Sequence, residues 1–393
     1  MLHCRYFAAG ECRSCTFIET PYPAQIAEKE ARCRALLPQV AADAWLPTFS
    51  GGDRGFRNRA KLVVGGTGGR RGGVTLGILG PEGTGVDLRE CAIQDPAINA
   101  VIPVLADFIE RSGLEPYDVP ARRGELKFVH VTISPDGELM VRFVTRSAHG
   151  LGVLRARLGE LRRLLPRAVV ISVNLLPEHK AVLEGPHEEV LHGESLPMRL
   201  GGATLHLRPR SFFQTNTAVA RELYDQVASW VAAAGPRSVW DLYCGVGGFA
   251  LHCAEAADSS ETNGTGGSCG AREVLGVEIS EAAVDSARRS AREAGLYAAF
   301  VAADATAFVL ESEPTELPEL VIVNPPRRGI GDALAAFLER SGVQHIVYSS
   351  CNPASLAKDL SHLPSYAVRE ARVFDMFPHT SHLEVAVRLE LRA

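Results

Sequence analysis

The run Val239-Trp240-Asp241-Leu242-Tyr243-Cys244-Gly245-Val246-Gly247-Gly248-Phe249-Ala250 decides the fold. It reads as an apolar strand that ends in a glycine loop and turns into a helix, the opening unit of a nucleotide-binding α/β sheet. Working outward, strand patterns recur at 237–243, 273–278, 298–302, 319–323, 344–350, 366–374 and 383–391. Five alternate with helical patterns, and the last two are joined by a short loop. This rhythm predicts a doubly wound, seven-stranded α/β sheet with an antiparallel edge strand. Such sheets bind ligands outside the carboxyl ends of their strands. Three strand ends should therefore line one crevice: Asp241 to Phe249, Asn324-Pro325-Pro326-Arg327, and Ser349-Ser350-Cys351-Asn352-Pro353.

The length of 393 residues predicts two to three domains, and 46% hydrophobic with 22% charged residues belongs to a globular chain with a real core. No run of 18 apolar residues occurs, and the start Met1-Leu2-His3-Cys4-Arg5-Tyr6 has no apolar signal region. No membrane association is expected. Nine cysteines is an odd number, and several fall in predicted strands, which points to a reducing cytoplasm rather than a disulfide framework. The net charge of −5 conceals an asymmetry. Residues 1–208 hold 26 Lys and Arg against 23 Asp and Glu, whereas residues 209–393 hold 15 against 23. A polyanionic partner is better met by the first half.

Three regions are expected: 1–92, 93–208 and 209–393. The first opens on a cysteine-rich knot, Cys4 to Cys15, followed by a helix over 23–37. A basic segment, Arg54 to Lys61, then enters a strand, and the glycine-rich stretch 65–85 reads as a hairpin or meander. In the middle region a helix over 97–112 and strands at 127–134, 138–145 and 169–176 make an α+β unit. The low-complexity run 258–270, with Cys269 inside it, falls in a helix-to-strand connection away from the crevice and is assigned no function.

Gly245-Val246-Gly247-Gly248-Phe249-Ala250 satisfies the dinucleotide fingerprint with Ala in the third place, so a nicotinamide-dependent oxidoreductase is a genuine rival. Three carboxylates favour S-adenosylmethionine instead. Asp241 stands where a cationic amino acid end would be met and a pyrophosphate repelled. Glu278 closes the second strand, where a carboxylate accepts the ribose hydroxyls. Asp304 follows the third strand, placed to meet the adenine amine. The alternatives are a loop-bracing carboxylate at Asp241 and a helix N-cap at Asp304.

Cys351 ends a strand among Ser349, Ser350 and Asn352, which suits a nucleophile better than a buried core thiol. Arg327 and Arg328 are candidates to lower its pKa. Carbon 5 of a uracil becomes nucleophilic only after a thiolate adds to carbon 6, and a base must afterwards remove the carbon-5 proton. Glu384, at the start of the apolar final strand, is the candidate base. Enzymes that methylate exocyclic amines carry an aromatic residue after a similar Asn-Pro-Pro run, and here Arg327 stands there. At the N-terminus, Cys12 and Cys15 form a C-x-x-C pair, with Cys4 before them and Cys91 as the natural fourth ligand; Cys33 competes. Spacing alone leaves zinc and [4Fe–4S] level.

These motifs, in this order, resemble the RNA uracil-C5 methyltransferase family nearly end to end. The resemblance runs through the N-terminal cysteines, Phe56 to Lys61, Arg123 to Lys127, Arg210 to Asn216, Asp241 to Phe249, Asn324 to Gly331, Tyr348 to Asn352 and Phe374 to Glu384. It is greatest with members that methylate uracil 747 of bacterial 23S ribosomal RNA. It implies a class I S-adenosylmethionine-dependent methyltransferase domain behind an N-terminal RNA-binding region. Cys351 would be the nucleophile and Glu384 the general base. Gln214, Tyr243, Glu278 and Asn324 would touch the methyl donor, with Asp241, Gly245 and Asp304 completing that site. Cys4, Cys12, Cys15 and Cys91 would hold a [4Fe–4S] cluster. Larger relatives begin with a small β-barrel RNA-binding domain, which is expected to be absent here. The partner would be 23S ribosomal RNA, with no obligate protein partner evident; a transfer RNA uracil is the rival substrate. A target base must be turned out of its stack to reach Cys351. Candidate phosphate contacts are Arg54, Arg57, Arg59, Lys61, Arg122, Arg123 and Lys127, with Phe56 as a stacking ring; the alternative for each is a solvated surface charge.

Overall fold

A computed structural model describes residues 2–66, 73–80, 83–180, 182–254 and 272–392. The low-complexity run 258–270 and Cys269 lie outside the described residues. The chain divides into two compact units. One holds residues 1–19, 53–198 and 208–210; the other holds 20–52, 199–207 and 211–393.

The first unit is built on a seven-stranded sheet in the order β3-β2-β1-β4-β5-β6-β7. Its strands are β1 (Arg59–Gly65), β2 (Thr75–Leu79), β3 (Gly85–Asp87), β4 (Leu126–Ile133), β5 (Leu139–Thr145), β6 (Ala168–Leu175) and β7 (His187–His192). All neighbours are antiparallel except β5 and β6. β4 and β5 turn at Gly137, whose φ of 77° suits glycine. The helix Pro96–Ser112 starts where Asp95 accepts from the Ala97 N–H at 2.8 Å and stops at Gly113. Its Ile98, Ile102, Leu105 and Ile109 recur at helical spacing and share one core with Val129, Val131 and Phe143. The expected boundary near 92 falls inside this unit, because β1 on one side of it pairs with β4 on the other.

A separate hairpin, β8 (Leu196–Leu200) with β9 (Ala203–Leu207), follows. The second unit holds β10 (Ser238–Leu242), β11 (Glu273–Glu278), β12 (Ala298–Ala302), β13 (Leu320–Val323), β14 (His345–Ser350), β15 (Tyr366–Phe374) and β16 (Glu384–Leu391). Their order is β12-β11-β10-β13-β14-β16-β15. The first five are parallel, and β16 is antiparallel to both neighbours. The antiparallel strand is thus not at the edge, as the sequence led us to expect. β16 inserts between β14 and β15, and its inner residues Val385, Val387 and Leu389 are buried on the shared core. This placement puts the start of β16 beside the end of β14.

The helix Tyr22–Leu36 belongs to this second unit although it lies far upstream in sequence. Its Lys29 and Asp375 form an ion pair at 2.5 Å, both almost fully buried. Cys33, the competing cluster ligand, is fully buried in the same core.

Candidate active site

The order of strands reverses at β10, which lies between β11 and β13. At its carboxyl end the backbone turns sharply. Tyr243 has φ +65°, a left-handed conformation that a non-glycine residue holds only when its surroundings impose it. Gly245 and Gly247 follow with φ of 55° and 87°. Glu278, at the end of β11, ties this loop down: one carboxylate oxygen accepts from the Gly245 N–H at 3.1 Å, the other from the Ser280 N–H at 3.0 Å. The Asn324 N–H donates to the Leu242 carbonyl at 3.4 Å, which joins the ends of β10 and β13.

Asp241 is fully buried at the end of β10. Its Oδ2 accepts from the Ala250 N–H at 2.9 Å, so the loop-bracing reading holds for that atom. Its Oδ1 is buried without a hydrogen-bond partner. An unmet buried acceptor costs about 1–3 kcal/mol, and such atoms mark places where a ligand completes the set. Burial, with Glu278 nearby, pushes the Asp241 carboxyl up to about 7. Tyr243 lies near Thr306, hydroxyl to hydroxyl at 3.5 Å. Asp304 caps the helix Ala305–Glu311, accepting from the Thr306 and Ala307 N–H groups at 3.0 and 2.9 Å. The N-cap alternative is therefore the role its observed bonds fill. Gln214 is buried just before the helix Thr217–Ala234, which Asn216 caps.

Cys351 and Glu384 come together at the next strand ends. β14 pairs with β16 through Ser350 opposite Val385, so one further step sets Cys351 against Glu384. Glu384 is fully buried, and burial pushes its carboxyl up to about 7 although the Ser349 hydroxyl donates to it at 2.6 Å. Burial raises the Cys351 thiol, and the Glu384 carboxylate adds to that; a hydrogen bond from Arg327 opposes both. Arg327 also donates to His382 Nδ1 at 2.8 Å. Burial, Arg327, Lys29 and Arg32 hold His382 below the ordinary imidazole range, so it accepts as a neutral ring. A cavity of about 250 Å³ opens on the thiol, lined by Arg32, Arg327, Cys351, Asn352, Ser381 and His382 among others. Asn352 donates to the Arg327 carbonyl at 3.0 Å and caps the helix Pro353–Ser361. Of the two arginines expected near the thiol, Arg327 takes the part; Arg328 instead bears on Tyr243.

Sequence reasoning missed Asp359, which is buried and receives the Tyr348 hydroxyl at 2.6 Å and the Ile330 N–H at 2.9 Å. It locks the loop after β13 to the helix after β14. It also missed the partners of the loop 375–383, considered below. The arrangement supplies a thiol and a cationic rim around one small opening, with a buried carboxyl at the neighbouring strand end, the equipment for covalent attack and proton removal on a polar ring.

In the first unit, Cys4, Cys12, Cys15 and Cys91 are each partly exposed and free. They share one electrostatic neighbourhood: burial with the fields of Cys91, Cys12 and Cys4 pushes the Cys15 thiol up to about 12. Burial, with smaller effects of Cys4 and Cys12, likewise raises Cys91. Among the described residues, no group of three or more His, Cys, Asp or Glu side chains forms a metal site. Of the expected phosphate contacts, Arg54, Lys61, Arg122 and Arg123 are exposed. Lys127 is not available: it is buried, donates to the Glu178 carbonyl at 2.7 Å and lies over the Tyr117 ring. Arg57 donates to the Arg59 carbonyl and faces Cys91 and Cys15, while Arg59 donates to Thr132 at 3.0 Å. Arg59 and Lys61 share one face of β1, where Lys61 is exposed and Arg59 half-buried.

A family model described as tRNA (uracil-5-)-methyltransferase matches residues 311–392, the stretch that carries both Cys351 and Glu384. Over 392 residues, 99% of both chains, this chain is 45% identical to the 23S rRNA (uracil(747)-C(5))-methyltransferase RlmC of Halothiobacillus neapolitanus. It is also 45% identical, over all of both chains, to the protein of the same name from Yersinia pseudotuberculosis. Among solved structures it resembles the tRNA (uracil-54, C5)-methyltransferase of Pyrococcus abyssi in complex with S-adenosyl-L-homocysteine, with 26% identity and a TM-score of 0.75 over 95% of this chain and 85% of that one. The second unit thus has the class I S-adenosylmethionine-dependent methyltransferase fold, and no helix among the described residues is long and apolar enough to cross a membrane. The full-length likeness and the paired thiol and carboxyl lead to one conclusion: the chain belongs to the RNA uracil-C5 methyltransferase family.

Proposed function

We propose that this protein methylates carbon 5 of a uracil in 23S ribosomal RNA, with uracil 747 as the target and S-adenosylmethionine as methyl donor. The observation that carries the reading is Cys351 set against the buried Glu384 at the ends of β14 and β16. The Cys351 thiolate adds to carbon 6 of the flipped-out uracil, and the ring electrons move to carbon 5. When bound, S-adenosylmethionine supplies the methyl cation equivalent that carbon 5 takes up, with S-adenosylhomocysteine as the leaving group that keeps the S–C bonding pair. Glu384 then takes the carbon-5 proton, the carbon 6–sulfur bond breaks, and Cys351 leaves as thiolate. A carboxyl near 7 is well matched to this step at neutral pH. Arg327, beside the thiol, favours the thiolate both before attack and on departure.

Asp241, Tyr243, Gly245, Glu278 and Asn324 would hold the methyl donor, with Gln214 and Asp304 beside them. The buried, unmet oxygen of Asp241 supports this, since an ammonium group there would satisfy it. The same atom argues against a nicotinamide, whose pyrophosphate a carboxylate repels.

Cys4, Cys12, Cys15 and Cys91 would hold a [4Fe–4S] cluster. What supports this is that Cys15 lies in the fields of Cys91, Cys12 and Cys4, and Cys91 in those of Cys4 and Cys12, so the four thiols are neighbours of the type such a cluster takes. The cluster would serve as a structural tie near Arg57; methylation needs no electron from it. The exposed Arg54, Lys61, Arg122 and Arg123 would meet RNA phosphates, and the substrate makes the cytoplasm the working compartment.

The test is to map 5-methyluridine by mass spectrometry in RNA from cells with and without the gene. Loss of one methyl group from 23S RNA at uracil 747 is expected. Loss from transfer RNA with 23S RNA unchanged would favour the rival substrate, for which the Pyrococcus abyssi relative is the precedent.

A further inference from the structure

The loop 375–383 joins β15 to β16 and delivers Glu384. Nine residues is long for a hairpin connection, for which about 2–5 is usual. It is nonetheless tightly held, and the holding comes from one face of the distant helix Tyr22–Leu36. Gln25, Lys29 and Arg32 stand at i, i+4 and i+7, on the same side of that helix. The Gln25 side-chain oxygen accepts from the His379 N–H at 2.8 Å, and its amide nitrogen meets His379 Nδ1 at 3.2 Å. Lys29 donates to Asp375 at 2.5 Å and to the Phe377 carbonyl at 2.9 Å. Tyr22 donates to the other Asp375 oxygen at 2.6 Å. Arg32 donates to the Ser381 carbonyl at 3.1 Å and lines the cavity over Cys351. His379, fully buried, has φ +63°, a backbone state that needs such support.

We propose that Gln25 and Lys29 are positioning residues for the proton-abstraction step. They fix the loop 375–383 so that Glu384 stays aimed at the site over Cys351. The inference rests on the functional reading above. In that reading Cys351 is carried by β14 and the helix Pro353–Ser361, against which the helix Tyr22–Leu36 also packs, but the bonds that Gln25 and Lys29 make to 375–383 run to the loop whose next residue is Glu384. Loosening the face therefore slows release of the methylated RNA and spares formation of the Cys351–carbon 6 bond. A misplacement of about 1 Å at a reacting group slows a step by up to about a hundredfold.

The experiment is single-turnover kinetics of the full-length protein with 23S RNA transcript and S-adenosylmethionine. Denaturant-stable protein–RNA adduct and free 5-methyluridine are followed separately. In Gln25→Ala, and in Lys29→Met combined with Asp375→Asn to avoid a lone buried charge, adduct formation is expected within about twofold of wild type. Release is expected to slow by at least about tenfold, so that adduct accumulates. Placed on a Glu384→Gln background, the same changes should slow release no further, because residues acting through one group are not additive. Gln25→Glu, which retains the acceptor for the His379 N–H, should recover part of the rate. Equal slowing of formation and release, or a loss that persists on the Glu384→Gln background, would overturn the proposal. Absence of any adduct in the wild type would instead remove the functional reading, and this inference with it.

Discussion

Two cysteine sites in this molecule make opposite use of one side chain. In the first unit, Cys4, Cys12, Cys15 and Cys91 are neighbours, and burial together with the fields of the nearby thiols opposes ionisation of Cys15 and Cys91. Only a bound cation or cluster would make four thiolates there stable. In the second unit, Cys351 stands without a neighbouring thiol among the described residues, with burial and a carboxyl opposing its ionisation and an arginine favouring it. The balance there leaves the thiol protonated at rest and responsive to a substrate that alters either neighbour. Grouped thiols suit permanent ligation; one thiol between opposed charges suits a reversible bond.

The comparison is broken most severely at Cys351. Cys351→Ala is expected to reduce methyl transfer by roughly 10⁴-fold or more with no effect on iron content, read by tritium incorporation and metal analysis. Cys12→Ser or Cys15→Ser should do the reverse. Iron is expected to be lost and the thermal midpoint to fall by about 5 °C or more, while the thiol at position 351 keeps its reactivity towards a small alkylating agent. Retention of the iron in those variants would dissolve the contrast.

A smaller effect sharpens it. Glu384 and Asp241 are both buried carboxyls raised to about 7. The folded state binds their protons more tightly than the unfolded chain does. Their contribution to stability is therefore full below the ordinary carboxylate range and is lost as pH rises through about 7. Each is worth on the order of 3–4 kcal/mol. Urea midpoints measured from about pH 5 to about pH 8 should decline in the wild type and decline less in Glu384→Gln. An unchanged slope in the variant would mean that Glu384 is ionised in the free protein.

The smallest effects concern the basic surface. Lys61→Ala, Arg122→Ala and Arg123→Ala should each weaken RNA binding a few-fold and lower the salt dependence by about 0.7–0.9 in log–log slope. Lys127→Ala should leave that slope unchanged and reduce stability, because its ammonium is spent on the Glu178 carbonyl. A salt slope altered by Lys127→Ala would reverse this assignment.

Much of the second unit was legible because its signals are local. Every strand from β10 to β16 follows from an apolar run bounded by turn residues, and Glu278 sits at a strand end that the pattern alone locates. The positions of the Cys351 thiol and the Glu384 carboxyl at strand termini were also readable. Partnerships across long sequence distances were not. The face Gln25, Lys29 and Arg32 reads in sequence as an ordinary polar stripe, and its partners begin at Asp375, some 346 residues away. The insertion of β16 inside β15 was hidden for the same reason, since a hairpin pattern does not say which strand lies inward. Lys127 misled because a charge in a strand says nothing about whether a carbonyl waits beneath it. Asp304 shows the remaining ambiguity: a strand-end carboxylate and an N-cap share one sequence signature, and its observed bonds are those of the cap.

The proposed reaction turns on a covalent bond between Cys351 and the uracil ring that Glu384 is needed to resolve. The most direct measurement is mass spectrometry of Glu384→Gln after incubation with 23S RNA transcript and S-adenosylmethionine. A methylated nucleotide attached to the peptide that contains Cys351 is the predicted result. A free, fully methylated RNA with no attached peptide, formed at the wild-type rate, would contradict it.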